Sequence, residues 1–243
     1  MNVQITTVGW TGWYPRGVAR MQEHFERLSP GYRVTPWVSE LPPGAPFSEG
    51  DYTGYCAKPY ALWHLMNEGA DIGILLDASY FPIRDITPLV DHIASVGYYM
   101  TPDGYTLGQW MSERMLEGFG LNREDTLGWP GCASGCVGID FRRSKGRSLV
   151  NEWCAAWPLF AGFHSNEKAA DQSHSYRNVG WVSDDPRVLG HRQDQSALVV
   201  IARRLGMTDY FTAPHFAAYS ASHKDCIECC RATEDTVLLC EGM

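Results

Sequence analysis

Asp71-Ile-Gly-Ile-Leu-Leu-Asp77-Ala-Ser79 is the stretch that sets the fold class of this 243-residue chain. Ile72 to Leu76 form an unbroken apolar run of the kind found in a strand covered on both faces, and the run stops abruptly at Asp77. Immediately upstream, Lys58 to Glu68 reads as a helix with Ala61, Leu62, Leu65 and Met66 on one side. Downstream, Thr87 to Ser95 reads as a helix and Val96 to Thr101 as a strand. Farther toward the N-terminus, Val3 to Val8 is a β-branched strand entering the loop Gly9-Trp-Thr-Gly-Trp-Tyr-Pro15. Val18 to Leu28 then follows with helical spacing, and Tyr32 to Val38 as a strand. Toward the C-terminus, Gly108 to Phe119 is helix-like, Ser134 to Phe141 a strand behind a Gly-rich turn, and Leu149 to Trp157 a helix. Asp194 to Leu205 is a strong helix, with Gly206 placed to cap it in the left-handed conformation. Strands alternating with helices predict an α/β sandwich around a mainly parallel sheet. Ligands in such sheets bind where strands end and loops diverge, which makes the Asp77 turn a candidate site by position.

Composition narrows the classes further. Hydrophobic residues make up 44% and charged residues 20%, which excludes wholesale disorder. No apolar run approaches the roughly 18 residues a bilayer span needs. The N-terminal MNVQITTVGW has neither the basic stretch nor the apolar core of a secretion signal, so a cytoplasmic location with no membrane partner is expected. With 28 Asp+Glu against 20 Lys+Arg the net charge is −8, which disfavours nucleic acid as an obligate electrostatic partner. Eight cysteines are too few for a disulfide scaffold. The run Cys226-Ile-Glu-Cys229-Cys230 has a C-x2-C spacing but lacks a second pair, so reduced thiols are favoured over zinc.

Four places could carry chemistry. Asp77, just past a buried strand, would be held rigidly at the sheet edge. Ser79, two residues on, would offer a second oxygen on the same side to a magnesium- or manganese-type ion. The plainer reading makes Asp77 a turn residue before Pro82. In Gly190-His-Arg-Gln-Asp194-Gln195, a carboxylate and an amide sit at a helix start, where free amides favour anions, although Asp194 could simply be the N-cap. In Tyr55-Cys-Ala-Lys58-Pro59-Tyr60, Pro59 suits a first helical turn and Lys58 could reach a phosphate, the alternative being a solvated lysine. The segment from Pro214 to Lys224 carries His215 and His223, each a candidate metal ligand or an ordinary histidine.

In their order along residues 3 to 225, these pieces resemble the nucleotide-sugar glycosyltransferases of the GT-A fold. The matching segments are Thr6 to Trp10, Tyr55 to Tyr60, Leu75 to Ser79, Ala133 to Ile139 and Arg192 to Leu198. The resemblance implies one GT-A domain over 1–225, with 226–243 as a Cys-containing tail packed on it. It implies that Thr7, Gly9 and Trp10 contact the nucleoside and that Lys58 lies near the base or phosphates. Asp77 and Ser79 would hold a metal-diphosphate unit, and His215 or His223 would complete the metal site. Ser134 and Gly135 would lie near the donor sugar or acceptor, with Asp194 and Gln195 beside the reacting carbon. The implied donor is a sugar nucleotide, a UDP-sugar first among them, the implied acceptor a hydroxyl, and the implied cofactor Mn2+ or Mg2+.

One departure changes the chemistry. The second aspartate of the Asp-x-Asp motif is Ser79 here, a neutral and weaker ligand, so the ion could be dispensable. Arg84, Arg192 and Lys224 are the cations that could then neutralise a diphosphate leaving group. In an inverting reaction Asp194 would be the base that deprotonates the acceptor; in a retaining one it would sit on the opposite face of the sugar. The alternatives are a nucleotidyltransferase, although only Arg16 is basic in the first loop, a non-catalytic sugar-nucleotide-binding module, and a transferase acting on a modified base flipped out of DNA. Trp10, Trp13, Tyr14, Trp110, Trp129 and Trp181 fall in or near loops where they could stack on sugars, and 163–185 has the character of a functional loop.

Overall fold

The computed structural model describes residues 1–9, 12–38, 40–46, 54–160, 182–221 and 231–241. Its strands are β1 (Val3–Val8), β2 (Arg33–Trp37), β3 (Ile72–Asp77), β4 (Tyr80–Pro82), β5 (Tyr98–Thr106), β6 (Pro130–Asp140), β7 (Ala217–Tyr219) and β8 (Leu238–Cys240). The described α-helices are α1 (Tyr14–Leu28), α2 (Ala57–Asn67), α3 (Thr87–Val96), α4 (Glu113–Phe119), α5 (Arg123–Leu127), α6 (Ser144–Ala155), α7 (Trp157–Phe160) and α8 (Gln193–Arg204). None of them is long and apolar enough to cross a membrane.

Five strands form the central sheet in the order β2-β1-β3-β6-β5. β1 runs parallel to β2 and β3, whereas β6 runs antiparallel to both β3 and β5. The sheet is therefore mixed, with β6 running against β2, β1, β3 and β5, so the expectation of a mainly parallel sheet holds in part. A buried apolar run reads the same in either direction, so the sequence pattern carries no strand polarity. In the β1–β3 register Val8 stands beside Asp77, placing both at the carboxyl edge of the parallel strands.

Helices cover both faces. On one side α2, α6 and α8 pack on Leu75, Val137 and Ile139 through Leu62, Leu65, Trp153 and Leu198. On the other, α1, α3 and a small sheet pack on Ile72, Ile74 and Leu76 through Met21, Phe25, Leu89, Ile93, Phe216 and Leu238. Side chains alternate along β3, so Asp77 shares the parity of Leu75 and belongs to the face covered by α2 and α8.

Local departures from the sequence pattern have identifiable causes. α1 begins a turn earlier than the spacing of Val18 to Leu28 predicts, because Pro15 fits a first helical turn. The segment from Gly108 to Phe119 is divided: a 3-10 turn, Leu107–Trp110, ends before Ser112, whose hydroxyl accepts from the Met115 amide and starts α4. β6 begins at Pro130, so Ala133-Ser134-Gly135 lies inside a strand and not in a turn, opposite a register shift between Met100 and Thr101. The second sheet, β4-β8-β7, is built of three-residue strands too short to show periodicity. Its central strand, β8, comes from the segment read as a tail. Most of the 163–185 loop lies outside the described residues.

Candidate active site

α2 starts beside the carboxyl edge of β3 and points its first turn at Asp77. Lys58 Nζ lies 2.8 Å from Asp77 Oδ1 and 3.7 Å from Asp194 Oδ2, and donates to Ser134 Oγ at 3.3 Å. Groups from α2, β3, β6 and α8 thus meet around one ammonium. The Lys58 side chain is only 14% exposed, so the solvated-lysine reading does not hold. Burial alone would pull the Lys58 ammonium down; Asp194 and Asp77 outweigh it and hold it firmly charged. Burial pushes the Asp194 carboxyl up, opposed by Lys58 and by a hydrogen bond with Ser134. Asp194 is not the N-cap: Arg192 holds that position, and Asp194 is the second residue of α8. Trp153 Nε1 anchors this turn by donating to the Asp194 carbonyl at 2.9 Å. Gly135 is the reason Asp77 can sit where it does: a Cβ there would come within 3.0 Å of Asp77 Oδ2 and 2.9 Å of the buried Tyr80 ring.

A second carboxylate cluster adjoins the first through α8. Gln195 Nε2 donates to Asp103 Oδ2 at 2.6 Å, and Arg192 Nη1 lies 3.6 Å from the same oxygen. The Arg192 guanidinium also stacks over Trp110 at 4.3 Å and Tyr105 at 5.0 Å. Gly131 makes room for Asp103 as Gly135 does for Asp77. Asp103 and Tyr105 were missed by sequence reasoning. No sequence signal marked them, because the apolar pattern of that strand ends at Thr101, whereas β5 continues to Thr106.

The other predicted residues are placed as follows. Thr7 is fully buried within β1. Gly9 is buried where α1 meets the Ala78 turn, and a Cβ on it would approach Tyr14, Val18 and Ala78 within 3.0 to 3.3 Å, which gives this glycine a packing role. Ser79 faces the small sheet: its hydroxyl accepts from the Cys240 thiol, and its carbonyl from Arg20 and the Glu241 amide. Arg84 is exposed on the loop leading to Ile86, whose amide is bound to Ser29 at the end of α1. His215 is half-buried before β7, with its carbonyl accepting from Thr236. Trp10, Trp181, His223, Lys224, Cys226, Cys229 and Cys230 lie outside the described residues. The described cysteines are all free and buried, and burial raises the thiols of Cys56 and Cys154 to about 12.

Among the described residues no group of three His, Cys, Asp or Glu side chains gathers to hold an ion unaided. Asp77 fits a different arrangement, in which one carboxylate and substrate phosphates share a hard cation. One of its oxygens is engaged by Lys58, and the side chain is 35% exposed.

Searches against known proteins give structural likeness alone. No protein-family model matches, and no curated protein matches. Mouse xyloside xylosyltransferase 1, in its apo form, aligns over 99% of this chain and 98% of its own, at 10% identity and a TM-score of 0.51. The fold is GT-A-like. Two further structures align more loosely. The bifunctional glycosyltransferase WbbM matches at 11% identity and a TM-score of 0.44, over 64% of this chain and 34% of its own. This chain therefore spans about a third of that enzyme's length. A glycosyltransferase involved in glycosylation of the major capsid of PBCV-1 matches at 12% identity and a TM-score of 0.42, over 79% and 80%. Lys58 and Asp77 meet at the edge where the parallel strands β1 and β3 end.

Proposed function

We propose that this chain transfers a sugar from a nucleotide-sugar donor to a hydroxyl acceptor. The observation that carries the reading is the convergence of Lys58, Asp77, Ser134 and Asp194 from four separate elements on one point at the sheet edge. Departure of a nucleoside diphosphate from an oxocarbenium-like carbon needs positive charge at the diphosphate and negative charge near the sugar. Lys58 supplies the first and Asp194 the second. Asp77 orients Lys58 and is the residue that would hold a Mn2+ or Mg2+ ion, whose chemistry would be added positive charge for the leaving diphosphate. Ser134, bonded to Lys58, supports the carboxylate of Asp194, and Gln195 stands one residue farther along the same helical turn. We take a UDP-sugar as the donor to try first.

The test is a panel of UDP-, GDP- and CMP-sugars, with and without manganese, read first as thermal stabilisation and then as donor hydrolysis and transfer. A ligand at about a hundred times its Kd stabilises the native state by about 2.7 kcal/mol, well within reach of such a measurement. Asp77→Asn should abolish both donor stabilisation and turnover in a folded protein. Asp194→Asn should keep donor stabilisation and lose turnover by about a hundredfold or more. Full activity in Asp77→Asn would sink the reading. Donor binding without hydrolysis under any condition would favour a binding module, and release of pyrophosphate from a nucleoside triphosphate would favour a nucleotidyltransferase.

A further inference from the structure

Among the described residues, Gln193 is the one residue other than glycine with a positive φ, at 26°. It opens α8, stands directly before Asp194, and is buried at 1% exposure. Positive φ crowds Cβ against the neighbouring carbonyl oxygen, which disfavours any L-residue and a β-branched one most. Such a conformation persists only where the surrounding structure over-determines it. At Gln193 the determinants are identifiable. The Trp110 carbonyl accepts from the Arg192 amide at 3.0 Å and from Ser196 Oγ at 2.6 Å, so a single acceptor grips the chain on both sides of Gln193. The Ser196 amide closes on the Arg192 carbonyl at 3.0 Å, and Trp153 Nε1, on α6, donates to the Asp194 carbonyl at 2.9 Å. Upstream, the Leu189 amide donates to the Gln109 carbonyl at 2.8 Å, and His191 Nδ1 accepts from the Ser112 amide at 3.2 Å. The incoming chain is thus fixed to the segment around the 3-10 turn and the helix to α6, with Gln193 between them.

We propose that Gln193 is a positioning residue whose left-handed backbone is the joint that aims Asp194 at Lys58 and Ser134. Rotation about the N–Cα bond of Gln193 swings α8 relative to the chain that enters it. With that chain held by Gln109, Trp110 and Ser112, the angle decides where the first side chains of the helix point. A regular helical entry has φ near about −63°, roughly a quarter turn away from the value at Gln193. Entry at that angle would break the grip of Trp110 and Trp153 and carry Asp194 out of its place 3.7 Å from Lys58 Nζ. Lys58 and Ser134 stand on α2 and β6, so the joint sets the approach of Asp194 to them. This rests on the glycosyltransferase reading for what Asp194 does in turnover, and not for the joint itself.

The experiment uses the full chain and compares the wild type with Gln193→Gly, Gln193→Asn, Gln193→Ala and Gln193→Val. Glycine and alanine both remove the side chain, so their difference reports the backbone. The urea midpoint of Gln193→Gly should lie above that of Gln193→Ala, the reverse of the order at an ordinary helical position. Asparagine tolerates positive φ and keeps the amide, so Gln193→Asn should hold kcat within about threefold of wild type. Valine is the residue least compatible with this φ. Gln193→Val should speed hydrogen exchange at the Trp153 indole by about tenfold or more, read on 15N-tryptophan protein with the resonance assigned through Trp153→Phe. With a donor identified, Gln193→Val should also lower kcat by about tenfold or more, with donor KM changed less than threefold, and Gln193→Ala should fall between asparagine and valine. If the valine variant does not fold, the glycine–alanine order and the kcat of the alanine variant decide. An alanine midpoint at or above that of glycine would overturn the proposal. So would a folded valine or alanine variant that loses stability and keeps wild-type kcat, since the joint would then support the fold alone. A loss confined to donor KM would overturn it as well, and would move Gln193 to the donor pocket. If the wild type turns over no donor at all, the transferase reading fails, and the midpoint order and the indole exchange still decide the joint.

Discussion

Gly135 and Lys58 show how closely single residues set the geometry of the edge. The Tyr80 ring that a Cβ on Gly135 would strike is 1% exposed and packed among Ile74, Leu76 and Cys136, so the carboxylate of Asp77 is what must give way. Gly135→Ala should therefore stretch the Lys58–Asp77 pair, lowering donor affinity by about tenfold while reducing stability by about 1–3 kcal/mol. Calorimetric titration and urea unfolding read the two effects separately. Lys58→Met removes the cation from a carboxylate whose side chain is 3% exposed. Leaving such a charge unpaired reduces stability by about 3 kcal/mol. The double variant Lys58→Met/Asp194→Asn should recover much of this, because the buried charge has gone as well. Equal losses in the single and double variants would mean that Lys58 contributes by packing alone.

The start of α8 is held by a strap that runs alongside the 3-10 turn and α4. Leu189 and Gly190 donate to the Gln109 carbonyl, Arg192 to that of Trp110, and Glu113 to that of Val182. His191 sits inside this strap, fully buried, with Nδ1 accepting from the Ser112 amide at 3.2 Å, which leaves its proton on Nε2. Burial, with Arg114 and Arg123 nearby, lowers the imidazole to about 3. Because this lies below the usual value near 6.5, the unfolded chain takes the proton first. The stabilisation is complete above pH 6.5 and is lost as pH falls toward 3. Between pH 7 and pH 5 this one group should remove about 2 kcal/mol of unfolding free energy, and His191→Gln should flatten that part of the urea-unfolding pH profile. A slope equal to that of the wild type would place the acid sensitivity elsewhere. The strap also shows what the sequence could and could not convey. Asp194 and Gln195 were visible because a helix start announces itself through periodicity, and Asp77 because an apolar run ended on it. Asp103 and its contacts with Arg192 and Gln195 were not visible, since they depend on β5 and α8, far apart in sequence, coming together. The direction of β6 was hidden for the same reason: antiparallel pairing with β3 and β5 leaves no mark on its own residues.

Across the whole molecule, the two faces of the central sheet carry different duties. The face under α2, α6 and α8 brings the charged groups together, whereas the face under α1, α3 and the small sheet is apolar and supports the turn at Ala78 and Ser79 from behind. β8 is central to that support: Leu238 is fully buried against the second core, and Arg20 bonds both the Ser79 and the Glu241 carbonyls. Three-residue strands gain little from their own hydrogen bonds, so the sheet holds through side-chain burial such as that of Leu238. Leu238→Ala should lower the unfolding free energy by about 2–5 kcal/mol, since a core this closely packed collapses only partly around a missing side chain. Because Lys58, Ser134 and Asp194 are positioned from the opposite face, the folded variant should keep donor affinity and turnover within about threefold of wild type at temperatures well below its midpoint. Urea unfolding and steady-state kinetics on the same preparation test this separation. A turnover loss that follows the stability loss would mean that the small sheet, acting through Ser79, sets the position of Asp77, and that the two faces work as one unit.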